Sequence, residues 1–234
     1  MQKVLITGGT RGIGLEISKL FISSGNYEVF IVARDFSVFP KELKNKTKQI
    51  PFNLQEVNKI PQLVQEIGDI DILINNAGVY NSLHYNKYLE DKKDMIIKLN
   101  LEAPVALITE FSKEMIKKRK GRIVSMASIA GEIGNSDIWY AATKAGIINI
   151  TKSFALLLGE KGIVINCVAP SMVEGTTMFE AISRERKQNQ LKRVLNHEFV
   201  KAKSVAETVF WLATESPNYI NGICIDINNG IFMR

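Results

Sequence analysis

Short apolar runs rich in valine and isoleucine alternate along the chain with segments in which apolar residues recur at helical spacing. Strands that are covered by helices on both faces of a parallel sheet have this composition. The pattern therefore predicts repeated βαβ units and a doubly wound, seven-stranded parallel sheet flanked by helices. The predicted strands are Lys3 to Thr7, Glu28 to Ala33, Lys48 to Phe52, Ile70 to Asn75, Arg122 to Met126, Ile163 to Val168 and Ile223 to Ile227.

Three of the connections carry signals of their own. The first helix is predicted to stop before Gly25, a residue type that commonly ends helices. The connection over residues 35–47 contains Pro40 and little periodicity, so its helix should be short or absent. Ser204 and Glu207 have the spacing of a capping box, and we predict that Ser204 caps the last helix.

No linker or repeat divides the chain, so we predict a single domain over residues 1–234. One polar, charged stretch, residues 171–203, follows the sixth strand. Ligands of open α/β sheets bind beyond the carboxyl ends of the strands. This stretch is therefore predicted to act as a lid over a substrate.

Composition excludes several classes of protein. No apolar stretch reaches the length of about 18 residues that a membrane-spanning helix needs. The first residues have no secretory signal, which predicts a cytoplasmic location and no membrane partner. The net charge is +6, with basic clusters at 41–48, 117–122 and 184–203. Because these clusters lack interleaved aromatic residues, we expect solvated helix faces and no nucleic-acid partner.

The cysteines and histidines give no sign of a disulfide or of a metal site. Cys167 and Cys224 are far apart in the sequence, and each lies in an apolar run, which predicts buried, reduced thiols. His84 and His197 have no second ligand at metal spacing, so no metal is expected.

A glycine-rich loop follows the first strand and leads into the first helix. Glycines at such a turn let the backbone approach a pyrophosphate, which then lies at the positive end of the helix. A tight turn without a ligand is the alternative, but the strand before the loop and the helix after it favour a dinucleotide site. The predicted cofactor contacts in the loop are Gly8, Thr10, Arg11, Gly12, Ile13 and Gly14.

The end of the second strand bears on the choice of cofactor. An acidic side chain there accepts a hydrogen bond from the ribose of NAD, whereas arginine suits the 2′-phosphate of NADP. Arg34 stands at this point, and Arg11 projects from the glycine loop. NADP(H) is therefore favoured over NAD(H). Asp35 keeps the alternative open, because a shift of one residue would bring its carboxylate to the ribose.

Four motifs occur together in one order: residues 7–14, Asn75-Asn76-Ala77-Gly78, Ser128, and Tyr140-Ala141-Ala142-Thr143-Lys144. Together they resemble the short-chain dehydrogenase/reductase family, over essentially the whole chain. The resemblance implies a Rossmann-type fold and an oxidoreductase that acts on CH–OH and C=O groups.

Tyr140 and Lys144 are four residues apart at the start of a long helical segment, so both side chains lie on one face. A neighbouring ammonium favours a phenolate and is expected to lower the pKa of the tyrosine. By resemblance, Tyr140 is the general acid, Lys144 also contacts the nicotinamide ribose, and Ser128 donates to the carbonyl oxygen. Ser125 is the competing serine.

Asn100 completes the catalytic set that the resemblance implies, with its main-chain carbonyl holding a water in a proton relay. The sequence also supplies a physical reason why the Asn100 carbonyl should bind this water. Pro104 has no N–H to donate to the carbonyl four residues earlier, so this carbonyl should be free to bind water. A proline that merely kinks a packed helix is compatible with the same pattern.

The resemblance also implies cofactor contacts outside the glycine loop, and it shows departures. The implied contacts are Asn53, Leu54, Asn76, Ala77, Gly78, Tyr140, Lys144, Pro170, Val173 and Thr176. Asn53 replaces a common aspartate, and Ser171 replaces a common glycine. The interval from Ser128 to Tyr140 is one residue shorter than usual in the family.

Within the family, the chain looks most like bacterial 3-oxoacyl-[acyl-carrier-protein] reductases. This implies an NADPH-dependent carbonyl reductase that acts on a small ketone or alcohol or on an acyl thioester, with an acyl carrier protein attracted by Arg119 and Lys161. It also implies a homotetramer or a homodimer. The alternatives are a dehydrogenase for a polyol, a sugar or another secondary alcohol, and a catalytically silent NADP-binding regulatory protein.

Overall fold

A seven-stranded parallel sheet forms the centre of the computed structural model, which describes residues 1–233. The strands are β1 (Gln2–Thr7), β2 (Tyr27–Ala33), β3 (Thr47–Pro51), β4 (Ile72–Asn75), β5 (Gly121–Met126), β6 (Ile163–Pro170), β7 (Val173–Glu174), β8 (Val200–Lys201) and β9 (Cys224–Ile227). The sheet has the order β3-β2-β1-β4-β5-β6-β9, and β7 pairs with β8 in a separate ribbon. The predicted doubly wound sheet is confirmed.

The helices cover both faces of this sheet. They are α1 (Gly12–Ser24), α2 (Lys41–Lys44), α3 (Ile60–Ile67), α4 (Glu90–Ile97), α5 (Ala103–Lys118), α6 (Ala130–Ile133), α7 (Ile138–Leu158), α8 (Thr177–Glu180), α9 (Arg184–Leu191) and α10 (Ala202–Thr214). Short 3₁₀ turns span Val57–Lys59, Tyr85–Lys87 and Gly159–Lys161, and a π-helical turn spans Lys98–Glu102. Within residues 1–233, no helix is both long enough and apolar enough to cross a membrane.

Side-chain alternation along the central strands creates two apolar layers. In β1, Val4 and Ile6 pack with α1 and α10 on one face, while Leu5 packs with α3 and α5 on the other. Successive residues of a strand point to opposite faces, so each central strand contributes to both layers. This explains why the strands appear in the sequence as continuous apolar runs rather than as alternating ones.

The strand order fixes where a ligand can bind. The chain builds β1, β2 and β3 outward in one direction, and then returns to place β4 on the other side of β1. A crevice opens at such a reversal, outside the carboxyl ends of the strands. The glycine-rich loop after β1 and the segment after β4 both lie at this crevice.

Two predictions about the first connections of the chain are confirmed: where α1 ends, and that the helix between β2 and β3 is short. Helix α1 ends at Gly25, whose φ of 71° is in the left-handed region that favours glycine. The connection between β2 and β3 holds only the short helix α2.

The predicted cap of the last helix is wrong. Helix α10 begins at Ala202, directly after β8, and its N-cap residue Lys201 makes no side-chain cap hydrogen bond. Ser204 is exposed inside the first turn. The short strand β8, which the sequence did not reveal, starts the helix earlier than the capping-box pattern indicated. A side-chain cap occurs instead at α7, where the Asp137 carboxylate accepts a hydrogen bond from the Tyr140 amide at 3.1 Å.

The two cysteines are neighbours in the sheet although they are far apart in the sequence. Cys167 of β6 and Cys224 of β9 are register partners on adjacent strands. They are not joined in a disulfide, and Cys224 is only half-buried. Separation in the sequence therefore did not predict separation in space, because the last strand, β9, pairs with β6 at the edge of the sheet.

We predict that Asp137→Ala destabilises the protein by about 1–2 kcal/mol, because a helix loses its N-cap acceptor. Ser204→Ala is the matched control, and it should change stability by no more than about 0.5 kcal/mol, since this exposed hydroxyl caps nothing. Urea unfolding of both variants tests the assignment. A larger loss for Ser204→Ala than for Asp137→Ala would contradict it.

Candidate active site

A cavity of about 1100 Å³ lies along the carboxyl edge of the sheet. Ser128, Tyr140 and Lys144 line it, whereas Asn100 does not. The structure also brings together around this cavity every residue predicted to contact a cofactor. These residues are Gly8, Thr10, Arg11, Gly12, Ile13, Gly14, Arg34, Asn53, Leu54, Asn76, Ala77, Gly78, Tyr140, Lys144, Pro170, Val173 and Thr176.

The glycine-rich loop is folded closely on itself at one side of the cavity. A Cβ atom at Gly14 would lie 2.1 Å from the Gly8 carbonyl oxygen, so the turn excludes any side chain there. The Asn76 amide donates to the carbonyls of Thr7 and Gly8 at 3.0 and 3.1 Å, which ties the loop to the end of β4. This glycine cradle at the start of α1 fits the pyrophosphate of a dinucleotide.

Two arginines lie near the end of β2. Arg11 and Arg34 are exposed and line the cavity, and no ion pair within residues 1–233 includes either of them. The neighbouring Asp35 carboxylate accepts hydrogen bonds from the hydroxyl and the amide of Ser37, at 2.6 and 2.8 Å. These bonds hold the pKa of Asp35 below its usual value. Asp35 is thus already bonded to its own loop.

Tyr140 and Ser128 meet at the centre of the cavity. Tyr140 lies in the first turn of α7, and Ser128 lies two residues beyond the end of β5. Burial raises the pKa of Tyr140 to about 12, although a hydrogen bond with Ser128 acts in the opposite direction. The phenol is therefore protonated at neutral pH.

Of the two candidate serines, Ser128 is the one that lines the cavity. Ser125 lies inside β5, where its hydroxyl accepts a hydrogen bond from the Asn75 amide at 3.3 Å. The segment that carries Ser128 is fastened to β6 on both sides, because Ala127 N–H donates to Val168 O and Ile129 N–H donates to Pro170 O. Backbone bonds thus fix the position of this hydroxyl.

Lys144 reaches the same region from the next turn of α7. Its side chain is buried, and its ammonium donates to the Met126 carbonyl at 2.6 Å. Burial lowers the pKa of Lys144 to about 8. The ammonium lies 5.7 Å from the centroid of the Tyr140 ring.

Asn100 lies behind the cavity and is 1% exposed. Its side-chain amide accepts from Val79 N–H at 2.8 Å and donates to Val79 O at 2.9 Å, which fixes the segment that follows β4. Asn100 is inside the π-helical turn, in which Ala103 N–H donates to Lys98 O. Pro104 lies two residues after this turn, in the first turn of α5, and its missing N–H interrupts the regular bonding pattern. A water on the Asn100 carbonyl stays a prediction.

Comparison with known proteins identifies the family. The chain matches the family described as short chain dehydrogenase over residues 2–187. It belongs to this family. The resemblance inferred from the motifs is confirmed, and the protein is an oxidoreductase of the kind that acts on CH–OH and C=O groups with a nicotinamide cofactor.

Curated relatives of this short-chain dehydrogenase match it over nearly its full length. The 3-oxoacyl-[acyl-carrier-protein] reductase FabG of Staphylococcus aureus (strain Mu50) is 31% identical over 244 aligned residues, covering 99% of this chain and 98% of the relative. The protein of the same name from Haemophilus influenzae is 32% identical, covering 98% and 97%.

Solved structures have the same fold. A 3-oxoacyl-[acyl-carrier protein] reductase from Brucella melitensis superposes with a TM-score of 0.89 at 24% identity, covering 100% of this chain and 92% of that one. A Tyr-to-Phe variant of ElxO with NADPH bound superposes with a TM-score of 0.87 at 26% identity, covering 98% of each chain.

One electrostatic expectation for this dehydrogenase is wrong. The Lys144 ammonium was expected to lower the pKa of Tyr140, yet burial raises it. The physical reason is that the ammonium donates to the Met126 carbonyl instead of the phenol oxygen. The Tyr140 phenol is therefore protonated at neutral pH, and it is a weaker acid than a solvent-exposed tyrosine.

Sequence reasoning missed four residues around Tyr140. The Asp137 carboxylate caps its helix, and the Tyr80 ring meets the Tyr140 ring edge-on at 5.0 Å between centroids. Arg186 and Asn135 lie beside Tyr80 on the cavity wall. Asp137 could have been found as an N-cap, since an aspartate precedes an apolar helix. Nothing local in the sequence marks the other three.

The predicted lid segment does contribute to the cavity wall. Thr176 lies against Gly12 of the glycine loop. A Cβ atom added at Gly12 would lie 3.3 Å from the Thr176 methyl group. The Thr176 hydroxyl donates to Val173 O at 2.9 Å and caps α8, so it is already bonded within the segment. The basic cluster at 184–203 was predicted to be solvated, but Arg186 and Arg193 line the cavity.

A possible set of metal ligands lies outside the cavity. Among residues 1–233, Glu132, Cys224 and Asp226 have potential ligand atoms within 4.8 Å of one another. Neither histidine is part of this set. The expectation that the protein needs no metal stays a prediction.

Proposed function

We propose that this short-chain dehydrogenase is an NADPH-dependent carbonyl reductase in which Tyr140 is the general acid. The observation that carries the proposal is the position of the Tyr140 phenol, beside Ser128 in the cavity that the glycine-rich loop also lines. An acid at this point can serve a reduction, because the oxygen of the ketone must gain a proton.

The residues divide the chemistry among them. The reduced nicotinamide, when bound, supplies the hydride to the carbonyl carbon. As negative charge builds on the carbonyl oxygen, the Ser128 hydroxyl donates a hydrogen bond to it and Tyr140 transfers its proton. The product is a secondary alcohol.

Lys144 and Asn100 have supporting roles in this proposal. The Lys144 ammonium would contact the nicotinamide ribose when the cofactor is bound, and it begins the route by which Tyr140 regains its proton. The Asn100 carbonyl holds a water on that route. The lowered pKa of Lys144, about 8, supports this role because a group that titrates near neutral pH exchanges protons readily.

The preference for NADPH rests on the end of β2. Arg11 and Arg34 can form charge-assisted hydrogen bonds with a 2′-phosphate. The Asp35 carboxylate, which would favour NADH, is bonded to Ser37. The ElxO variant, a structural neighbour, holds NADPH, and this supports the same choice.

We further propose a 3-oxoacyl thioester as the substrate class, on the strength of the curated relatives. Arg119 and Lys161 were expected to attract an acyl carrier protein. They lie just before β5 and β6, at the amino edge of the sheet, whereas the cavity lies at the carboxyl edge. They therefore form no docking patch beside this chain's own cavity, and the thioester proposal is supported by the relatives' names alone.

Residues 171–203 are proposed as the lid. The helical segments that contain Asn100 and Tyr140 are proposed to pair in a homotetramer or homodimer. Leu156 and Leu157 support the second proposal, because they are 83% and 63% exposed on α7 and would be covered by a partner.

We predict that Tyr140→Phe lowers turnover by about 10²- to 10⁴-fold while NADPH binds almost as before, since the hydroxyl acts in proton transfer. Initial rates of ketone reduction and NADPH titration by fluorescence measure the two effects. Tyr85→Phe is the matched control, because Tyr85 is exposed and does not line the cavity. Wild-type turnover in Tyr140→Phe would rule out the mechanism. An absence of ketone reduction by the wild type itself would favour a silent, regulatory NADP-binding protein.

Arg34→Ala should weaken NADPH binding about 10- to 100-fold, the equivalent of losing one hydrogen bond to a charged group. NADH binding should change little, because NADH has no 2′-phosphate. The two dissociation constants, measured on the same protein, form the comparison. Equal losses for both cofactors would assign Arg34 a structural role, and a wild-type preference for NADH would point to Asp35.

A further inference from the structure

The lid helix α9 presents a polar face to the cavity. Arg186, Asn189 and Gln190 of α9 line the cavity, and their spacing of three and four residues places them on one side of the helix. Arg193, two residues beyond the end of α9, also lines the cavity. No residue of α9 is buried. Ligand pockets are lined mainly by apolar side chains with a few placed polar groups, so this face indicates where polar recognition occurs.

Arg186 is held in a fixed position on this face. Its guanidinium donates to the Tyr80 hydroxyl at 2.5 Å and to Asn135 Oδ1 at 3.1 Å. Both partners are neutral, so they orient the guanidinium without compensating its charge. A guanidinium has five N–H donors, which leaves donors for a ligand.

No ion pair within residues 1–233 includes Arg186 or Arg193. The next residue along, Lys187, differs, because its ammonium lies 3.8 Å from the Glu180 carboxylate. Of the described residues that line the cavity, Asp35 alone is acidic, and it is bonded to Ser37 at the end of β2. The lid side of the cavity is therefore cationic and uncompensated.

The position of Arg186 relates it to the substrate rather than to the cofactor. Its anchor Tyr80 meets the Tyr140 ring edge-on, at 5.0 Å between centroids. The guanidinium is thus one aromatic ring away from the phenol that is proposed to protonate the ketone. Arg34 and the glycine-rich loop, which fit the cofactor phosphates, belong to the other side of the cavity.

We propose that the substrate ketone carries an anionic oxygen group, a carboxylate or a phosphate, that binds the Arg186 guanidinium while its carbonyl oxygen faces Tyr140. The proposal rests on the reductase function proposed above. Arginine suits this role because its planar fork can hold such a group with two parallel hydrogen bonds. Arg186 thereby determines the class of substrate.

The test compares ketones that differ in charge. Acetoacetate and methyl acetoacetate form one pair, and the thioesters acetoacetyl-CoA and acetoacetyl-N-acetylcysteamine form the other. In each pair only the first member is anionic. Values of kcat/KM with NADPH are measured for the wild type, Arg186→Gln, Arg186→Lys and the matched control Arg184→Gln, since Arg184 is exposed on the same helix and does not line the cavity.

Arg186→Gln should lower kcat/KM by about 10- to 100-fold for the anionic member of at least one pair, with less than about a twofold change for the neutral member. Arg186→Lys should recover part of the loss, and Arg184→Gln should behave like the wild type. A loss confined to acetoacetate identifies a carboxylate near the ketone, and a loss confined to acetoacetyl-CoA identifies a phosphate. Equal changes for both members of each pair would overturn the proposal.

A second readout separates this proposal from the reductase function. Acetoacetate and acetoacetyl-CoA are each added to the protein with NADP⁺, and the melting temperature is measured without turnover. If no ketone is reduced but one of these anions raises the melting temperature in the wild type and not in Arg186→Gln, the anion site stands and the reductase proposal fails. If neither anion raises it in the wild type, the anion site is refuted.

Discussion

The hydrogen bond from the buried Lys144 ammonium to the Met126 carbonyl, 2.6 Å long, is the interaction on which the arrangement of the site depends. It joins α7 to the end of β5. Tyr140 is one helical turn before Lys144, and Ser128 is two residues after Met126, so this bond helps to hold the Tyr140 phenol beside the Ser128 hydroxyl, whose own position is fixed by backbone bonds to β6. Burial of the ammonium has an electrostatic cost, which appears as the lowered pKa of Lys144.

The two sides of the cavity differ in how they would hold the ligands proposed above. The side proposed for the cofactor is built mostly from backbone, where glycines allow close approach and the Asn76 amide fixes the loop. The other side, which is proposed as the lid, carries long polar side chains, and Arg186 of α9 is oriented there by the neutral groups of Tyr80 and Asn135. Backbone recognition suits a cofactor that is common to a family, while side chains on a lid can differ between members without disturbing the sheet.

Features with a local cause could be predicted from the sequence. The strands could be placed because buried parallel strands are continuous apolar runs, and the glycine loop because only glycine allows its turn. Ser204 was misassigned because pairing between β7 and β8 starts α10 early. The pKa of Tyr140 and the position of Arg186 depend on burial and on contacts across more than 50 residues of sequence, such as the Arg186 to Asn135 bond. No local pattern encodes these.

The state of Lys144 tests the central claim most directly. Lysine labelled with ¹³C at Cε can be followed by NMR over a pH titration, with Lys144→Met to assign the resonance and exposed Lys152 of the same helix as an internal comparison. The account predicts a midpoint near pH 8 for Lys144, with the charged form below that pH, as burial requires. A midpoint at or above pH 10 would contradict it, because burial would then impose little or no penalty on the ammonium.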